Sequence, residues 1–279
     1  MKVGYAILYT DGELVISKNH TVLKRKVIKN YGAFEDINVP WKKESYQIKK
    51  VQNLNQVKSN CMREWFNDCI NLTTLIDFEN LDVSDCTDFS YMFYNCQSLQ
   101  NINELQNLDV SDCTDFRGMF EFCKSLQDLN GLQNWNVSNG TDFRAMFKYC
   151  ISLQNINELQ NWNVSNCINF SFMFYYCNSL QNINALKNWD VSDGTNFSFM
   201  FSYCESLQNI DALTNWNVSN GEYFSWIFQN CQSLKKISLP KSMKYLNKDM
   251  FLNCNEDLKI HWKNHIYIYV DLLAYEEIS

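Results

Sequence analysis

A run of similar 27-residue units occupies most of the chain. The first full unit begins at Leu81, and the pattern restarts without insertion or deletion at Leu108, Trp135, Trp162, Trp189 and Trp216. Self-similarity at a fixed period of this length indicates a solenoid, because one unit cannot bury its apolar side alone but a stack of units can. A solenoid mainly generates surface, so the repeat favours binding over catalysis.

The apolar spacing within a unit predicts an α/β repeat. In residues 89–96 the apolar side chains fall at i, i+3, i+4 and i+7, which is the spacing of one face of a short helix. Residues 99–105 carry Leu or Ile in an Asn/Gln-rich stretch that is too short and polar for a second helix. We expect a short strand there, paired in parallel with its copy in the next unit.

The flanks of the repeat predict caps at both ends. Two apolar runs in residues 3–17 surround an Asp-Gly pair, a strong signal for a β-hairpin turn, and a basic segment follows at residues 23–29. Residues 265–275 predict a strand and then a short helix that closes the stack. The expected organisation is an N-terminal β-hairpin and basic cap over residues 1–53, a solenoid over 54–262 with six full repeats at 81–242 and degenerate end turns, and a C-terminal cap over 263–279.

The repeat resembles a known family. The runs Trp135-Asn136-Val137-Ser138 and Ala145-Met146-Phe147, with Cys150 and Leu153 in register, resemble the BspA-like leucine-rich repeats of bacteria, in the subtype that reads W-x-V-S and then x-M-F-x-x-C-x-x-L. The resemblance covers residues 60–262. It implies a leucine-rich-repeat solenoid, a role in adhesion or protein binding, and no catalytic residues. It also implies a secreted or surface-anchored protein, from which this chain departs.

Twelve cysteines raise the question of disulfides or metal, and their positions argue against both. Most recur at the repeat period in the inward slot of the unit, where a buried free thiol acts as a small apolar group. The chain has no CxxC pair and three histidines, all outside the full repeats, so we expect no metal and no cofactor. Phosphate-binding, zinc-hydrolase and nucleophile-elbow motifs are also missing, so the chain is not expected to be an enzyme.

Charge divides the chain into a basic start and an acidic body. Residues 1–58 hold 11 Lys/Arg against 5 Asp/Glu, whereas residues 81–234 hold 5 against 16. An acidic body disfavours direct binding of nucleic acid by the solenoid and favours a basic protein partner, although a solvated acidic surface explains the same charges. The candidate partner-binding residues are the early aspartates and the polar rows of the extended segment: Asp82, Asp85, Asp88, Asp109, Asp112, Asp115, Gln100, Asn101, Asn103, Asp128, Asn130, Asn155 and Asn157.

These features predict a monomeric, non-enzymatic module that binds a protein partner through the solenoid. One alternative is a phage- or mobile-element-encoded inhibitor of a bacterial defence enzyme, similar to anti-CRISPR proteins, that binds a basic nucleic-acid-handling protein. The second alternative is a bacterial surface adhesin module. Residues 1–11 do not form a signal peptide, and no segment is apolar enough to span a membrane. If the printed chain is complete, we expect it in the cytoplasm of a bacterial or infected host cell; otherwise we expect it at the cell surface.

Overall fold

A computed structural model describes residues 2–269 and 277–278. Its strands are short and lie mainly at the two ends of the repeat. They are β1 Lys2–Tyr9, β2 Glu13–Ser17, β3 Val27–Glu35, β4 Lys50–Asn53, β5 Val57–Lys58, β6 Thr74–Ile76, β7 Leu81–Asp82, β8 Lys236–Ser238, β9 Leu246–Asn247, β10 Lys259–Trp262, β11 His265–Ile268 and β12 Glu277–Ile278. Seven 3₁₀ helices join them: Lys42–Gln47, Phe78–Asn80, Asn103–Leu105, Asn157–Asn161, Asn184–Asn188, Asp211–Leu213 and Lys248–Phe251.

The N-terminal β-hairpin is confirmed. β1 and β2 pair antiparallel from Tyr5 opposite Ser17 to Leu8 opposite Leu14. Gly12 in the connecting turn has a φ of +85°, a conformation that L side chains rarely adopt. The basic segment continues as a strand, since β3 pairs antiparallel with β1.

The hairpin is hydrogen-bonded into the solenoid. β2 pairs in parallel with β4, and β4 pairs in parallel with β6, so the five-stranded sheet has the order β3-β1-β2-β4-β6. Trp41 and Trp65 pack edge to face beneath it, with ring centres 5.9 Å apart, and the Trp41 indole donates to the Trp65 carbonyl at 2.7 Å. One buried core then runs from this cap to Tyr269.

The helix predicted at residues 89–96 is wrong, and no α-helix occurs between residues 2 and 268. This segment is a run of tight turns. The Met92 N–H donates to Phe89 three residues back at 3.2 Å, whereas the Phe93 N–H donates to Met119 in the next unit at 2.9 Å. Tyr91 has a positive φ of 57°, which interrupts a helix. Consecutive four-residue turns place apolar residues on one side at nearly helical spacing, so the apolar pattern alone does not distinguish a run of turns from a helix.

The strand predicted in each extended segment forms only at the ends of the stack. β6, β8 and β10 occupy this position, and β8 pairs in parallel with β10. The central units place 3₁₀ helices there, such as Asn157–Asn161. Asn155 accepts the Asn157 N–H through its side chain at 3.4 Å, an Asx turn that competes with strand pairing. The central units instead carry one parallel bridge per turn at a different position, ahead of the run of turns, such as that between Asp88 and Asp115.

A ladder of stacked phenylalanine rings runs through the core of the repeat. The rings of Phe93 and Phe120 stack with centres 5.6 Å apart and an interplanar angle of 5°. The ladder continues through the shorter last turn, where Phe228 stacks on Phe251 at 5.8 Å. The later units begin with tryptophan, which makes a hydrogen bond that Leu81 and Leu108 at the same position cannot make. The Trp189 indole donates to a carbonyl of the preceding turn at 2.9 Å.

The cysteines pack as predicted for the repeat. All twelve are free, eleven are buried and Cys61 is half-buried. The Cys96 thiol donates to the Phe66 carbonyl of the previous turn at 3.2 Å, and the later copies repeat this contact. Burial raises the pKa of these thiols, to about 12 for Cys86. In the small-residue slot, a Cβ on Gly140 would lie 2.6 Å from the Phe143 ring, so this slot accepts only small residues.

The C-terminal strand is confirmed, because β11 pairs antiparallel with β10. The short helix expected after it lies at residues outside the described part of the chain. Among the residues that the structure describes, no group of His, Cys, Asp and Glu side chains is arranged to hold a metal ion. No helix in this part is long and apolar enough to cross a membrane.

Candidate functional site

The aspartates singled out from the sequence mostly support turns. Asp82 accepts both the backbone N–H and the hydroxyl of Ser84, at 3.2 and 2.8 Å. Asp88 accepts the Ser90 N–H at 2.8 Å, and Asp109 and Asp115 repeat these contacts in the next unit. An Asn oxygen accepts such a bond equally well, which explains why later units carry Asn at these positions.

The other predicted residues lie at the surface. Asp85 and Asp112 are exposed, and Asp85 pairs with Lys58 at 2.7 Å. Gln100, Asn101, Asn103, Asn130 and Asn157 are exposed, whereas Asp128 and Asn155 are half-buried acceptors of Asx turns. The structure therefore places most of these polar residues outward, on a regular and solvated surface.

A different surface carries aromatic side chains that lie outside the buried core. Ten half-buried aromatic residues lie in the run of turns on the outside of successive units. We call this surface the aromatic face. Its members are Tyr91, Tyr94, Phe122, Tyr149, Phe172, Tyr175, Tyr176, Phe199, Tyr203 and Trp226.

The aromatic face is built from stacked columns. In one column the rings of Phe122, Tyr149, Tyr176 and Tyr203 stack with centres 4.5, 4.8 and 4.3 Å apart. In a second column Phe172, Phe199 and Trp226 stack at 4.6 and 4.9 Å. Each ring therefore covers the face of its neighbour, and the columns present ring edges and phenol hydroxyls to solvent.

Backbone conformation shows that these rings are not there to form the turn. Tyr149, Tyr176 and Tyr203 have φ values of 61°, 63° and 61°, in the left-handed region that bulky residues rarely adopt. The same position is occupied by Asn95 and Asn230 in flanking units, and Asn is far better suited to this conformation. Ring stacking offsets part of the strain. The central units nevertheless retain aromatic side chains where a smaller residue makes the same turn, which points to a role at the surface.

An ion pair interrupts the aromatic face near its N-terminal end. The Lys148 ammonium lies 2.9 Å from the Glu121 carboxylate, whose side chain is only 8% exposed. The same ammonium lies 5.5 to 6.0 Å from the ring centres of Tyr149, Phe172 and Tyr175. The lysine is thus held by both the carboxylate and the rings.

The phenol groups of Tyr94, Tyr175 and Tyr176 are neutral hydrogen-bonding groups at physiological pH. Burial is the main cause that raises the pKa of Tyr175, to about 12, and it also raises the pKa of Tyr176. Burial and then the nearby carboxylates of Glu121 and Asp68 raise the pKa of Tyr94. Neutral phenols can donate and accept hydrogen bonds, so this face is apolar in area and polar at its tips.

None of the residues predicted from the sequence belongs to the aromatic face, because aromatic side chains that recur with a repeat are typical of core packing. A signal was present. Tyr91 and Tyr94 fall outside the i, i+3, i+4, i+7 set of the first unit, so even a helical unit would direct them outward.

Comparison with known proteins places the repeat in a family. A family model described as "Mycoplasma protein of unknown function, DUF285" matches residues 31–155, 60–182 and 153–260, which together span more than half of the chain. The chain belongs to this family, which is of the BspA-like leucine-rich-repeat type, and the resemblance seen in the sequence is confirmed. A comparison with curated proteins gave no match.

Several solved bacterial structures are similar to this chain at low sequence identity. A leucine-rich repeat protein from Eubacterium ventriosum is 14% identical, with 90% of this chain and 93% of that chain covered and a TM-score of 0.35. One from Bacteroides ovatus is 14% identical, with 94% and 78% covered and a TM-score of 0.37. A leucine rich cell surface protein from Faecalibacterium prausnitzii is 13% identical, with 98% and 96% covered and a TM-score of 0.27.

Proposed function

We propose that this protein is a non-enzymatic module that binds a protein partner through the aromatic face. The observation that carries the proposal is the retention of Phe122, Tyr149, Tyr176 and Tyr203 at left-handed positions where flanking units use Asn. Strain that the fold does not need is a recognised mark of functional positions.

The chemistry of the aromatic face matches that of protein-binding surfaces. Tyrosine and tryptophan are enriched at such interfaces, because each supplies a large, rigid contact area and a polar tip at low entropic cost. The ladder holds the rings in place before binding, so little side-chain freedom is lost when a partner docks.

A sugar-binding surface is the natural comparison, and ring orientation disfavours it. Sugar rings pack on the open faces of aromatic side chains. In the column from Phe122 to Tyr203 each ring face is covered by the next ring at 4.3 to 4.8 Å. Ring edges and hydroxyl groups suit the mixed apolar and polar surface of a protein.

The aromatic face is compatible with both alternative functions predicted from the sequence. A surface of this kind serves an intracellular inhibitor and a surface adhesin equally well, so it does not separate these two alternatives. The charge asymmetry still favours a basic partner through faster encounter. The monomeric state remains a prediction, and sedimentation of the free chain tests it.

A pair of matched variants tests the proposed surface. We would immobilise the wild type, the double variant Tyr149→Asn/Tyr176→Asn, and the double variant Gln127→Ala/Gln154→Ala. Gln127 and Gln154 are the exposed counterparts of Gln100 in the next two units and represent the polar row. The proteins that each form captures from an extract of the source cells are then quantified. Asn already occupies the same turn position in Asn95 and Asn230, so the first variant keeps the turn.

We expect the partner to be depleted at least about tenfold on the aromatic variant, since tyrosines at the centre of an interface commonly contribute this much or more. Capture by the polar-row variant should equal that of the wild type. Loss of the partner on the polar-row variant, with full capture by the aromatic variant, would move the binding surface to the row predicted from the sequence.

A further inference from the structure

A cavity opens at the N-terminal end of the aromatic face. It is shallow and largely open to solvent, with a volume of about 430 Å³. The cavity is lined by Glu64, Asn67, Tyr91, Tyr94, Glu121 and Lys148.

The charges that line the cavity leave it with an excess of carboxylate. Glu64 and Glu121 contribute two carboxylates, against the single ammonium of Lys148. Two cations outside the cavity lining also contact Glu64: Lys42 bonds it, and the Arg63 guanidinium lies 3.5 Å from it, with both side chains more than half exposed. A cation that enters the cavity therefore competes with Lys148 for Glu121 and with these two exposed side chains for Glu64, within a solenoid body that is itself acidic.

The neutral groups of the cavity also favour a donor cation. The Asn67 side-chain oxygen is buried and accepts no hydrogen bond, so a ligand that donates to it would satisfy an otherwise unpaired acceptor. Tyr91 and Tyr94 lie at 76° to each other with ring centres 5.8 Å apart, which forms a corner of two aromatic walls. Within residues 2–269 the Tyr94 ring has no lysine or arginine of the chain above it, whereas Arg117 already lies 5.8 Å from the Tyr91 ring centre.

We propose that this cavity receives an arginine side chain of the partner protein. A planar guanidinium stacks on a tyrosine ring and donates hydrogen bonds in several directions, which matches the separated acceptors of Asn67, Glu64 and Glu121. Lysine offers one compact charge and fits this arrangement less well. The inference rests on the proposed function, because it takes the cavity as one end of the surface that the partner covers.

The proposal gives opposite signs for two substitutions. Glu121→Gln removes a carboxylate that would pair with the guanidinium, so it weakens binding. Lys148→Gln removes the ammonium that now occupies Glu121, so it strengthens binding. A cavity that instead receives an acidic group through Lys148 gives the reverse order.

The test uses a small probe that isolates the cavity from the rest of the surface. Nα-acetyl-arginine methylamide is titrated into the full chain, and binding is followed by NMR of the tyrosine ring resonances. The citrulline analogue, which has the same shape without the charge, is the matched ligand. Tyr203→Asn, at the far end of the aromatic face, is the matched variant.

We expect saturable, weak binding of the arginine probe, with a Kd on the order of millimolar, and roughly tenfold weaker binding of the citrulline probe. Glu121→Gln and Tyr94→Leu should each weaken arginine binding about fivefold, Lys148→Gln should strengthen it about threefold, and Tyr203→Asn should not change it. Equal binding of both probes, unsaturable shifts, or the reverse order for Glu121→Gln and Lys148→Gln would each overturn the proposal.

Partner capture separates the failure of this inference from the failure of the proposed function. If Tyr149→Asn/Tyr176→Asn loses the partner while Glu121→Gln keeps it and the arginine probe does not bind, the aromatic face binds the partner and the arginine site is wrong. If Tyr149→Asn/Tyr176→Asn keeps the partner, the proposed surface itself is wrong.

Discussion

Replacement of a single ring tests whether the aromatic face is dispensable for folding. Tyr176→Asn removes a ring that stacks on Tyr149 and Tyr203, with ring centres 4.8 and 4.3 Å apart. Such contacts contribute about 0.5–1.5 kcal/mol each, so the expected loss is about 2 kcal/mol. The change also relieves a left-handed tyrosine, which is worth about 1 kcal/mol when Asn takes its place.

The net expectation for Tyr176→Asn is a loss of about 1 kcal/mol in the free energy of unfolding. A core variant in the same turn sets the scale. Phe174 is fully buried and stacks on both Phe147 and Phe201, so Phe174→Ala should cost about 3–5 kcal/mol.

Urea denaturation monitored by circular dichroism measures both variants. Tyr176→Ala is a useful third variant, because it removes the stacks without the left-handed preference of Asn, and it should be about 1 kcal/mol less stable than Tyr176→Asn. If Tyr176→Asn proves as costly as Phe174→Ala, the aromatic face is part of the structural core and the argument for its function fails.

Three further predictions concern the packing of the repeat. Trp189→Phe should lower the free energy of unfolding by about 1–3 kcal/mol, because the buried Leu159 carbonyl loses the indole donor at 2.9 Å; urea denaturation beside Trp226→Phe, whose ring lies on the surface, checks this. A thiol reagent should label at most the half-buried Cys61 in the native protein and all twelve cysteines in urea, and rapid native labelling of several thiols would contradict the packing. Buried thiols whose pKa is raised, to about 12 for Cys86, stay protonated after the unfolded chain has begun to ionise near its ordinary pKa of about 9. Stability should therefore be constant below pH 8 and fall above pH 9, by about 1.4 kcal/mol per buried thiol for each pH unit, so the eleven buried thiols together should unfold the chain within about one to two pH units above 9. A urea midpoint that is flat up to pH 10 would refute this.

The sequence predicts the stack well, because the repeat period fixes which residues lie above one another. The Phe ladder, the buried cysteines and the continued register through Phe251 follow from spacing alone. The path of the chain within one unit does not follow. Turns closed by bonds to the next unit produce the same apolar spacing as a short helix. The left-handed φ of residues such as Tyr91 could not be predicted, because tyrosine rarely adopts this backbone conformation.

The candidate site shows the same division. Exposure of polar residues such as Gln100 and Asn101 could be predicted from composition, but exposure by itself says little about function. The charge of Asp82 and Asp88 predicts a binding role, but their carboxylate oxygens accept hydrogen bonds within turns. The importance of Tyr149 and Tyr176 depends on a backbone angle and on ring stacking, and both required the structure.

The most direct test of the central claim is site-specific photo-crosslinking around the solenoid. A benzophenone amino acid is placed at Tyr176 on the aromatic face, at Gln127 on the polar row, or at Asp112 among the early aspartates, and the crosslinked products from source cells are identified. The account predicts one partner protein, crosslinked from position 176 and not from positions 127 or 112. Crosslinking of a partner from position 127 or 112, with none from position 176, would contradict it.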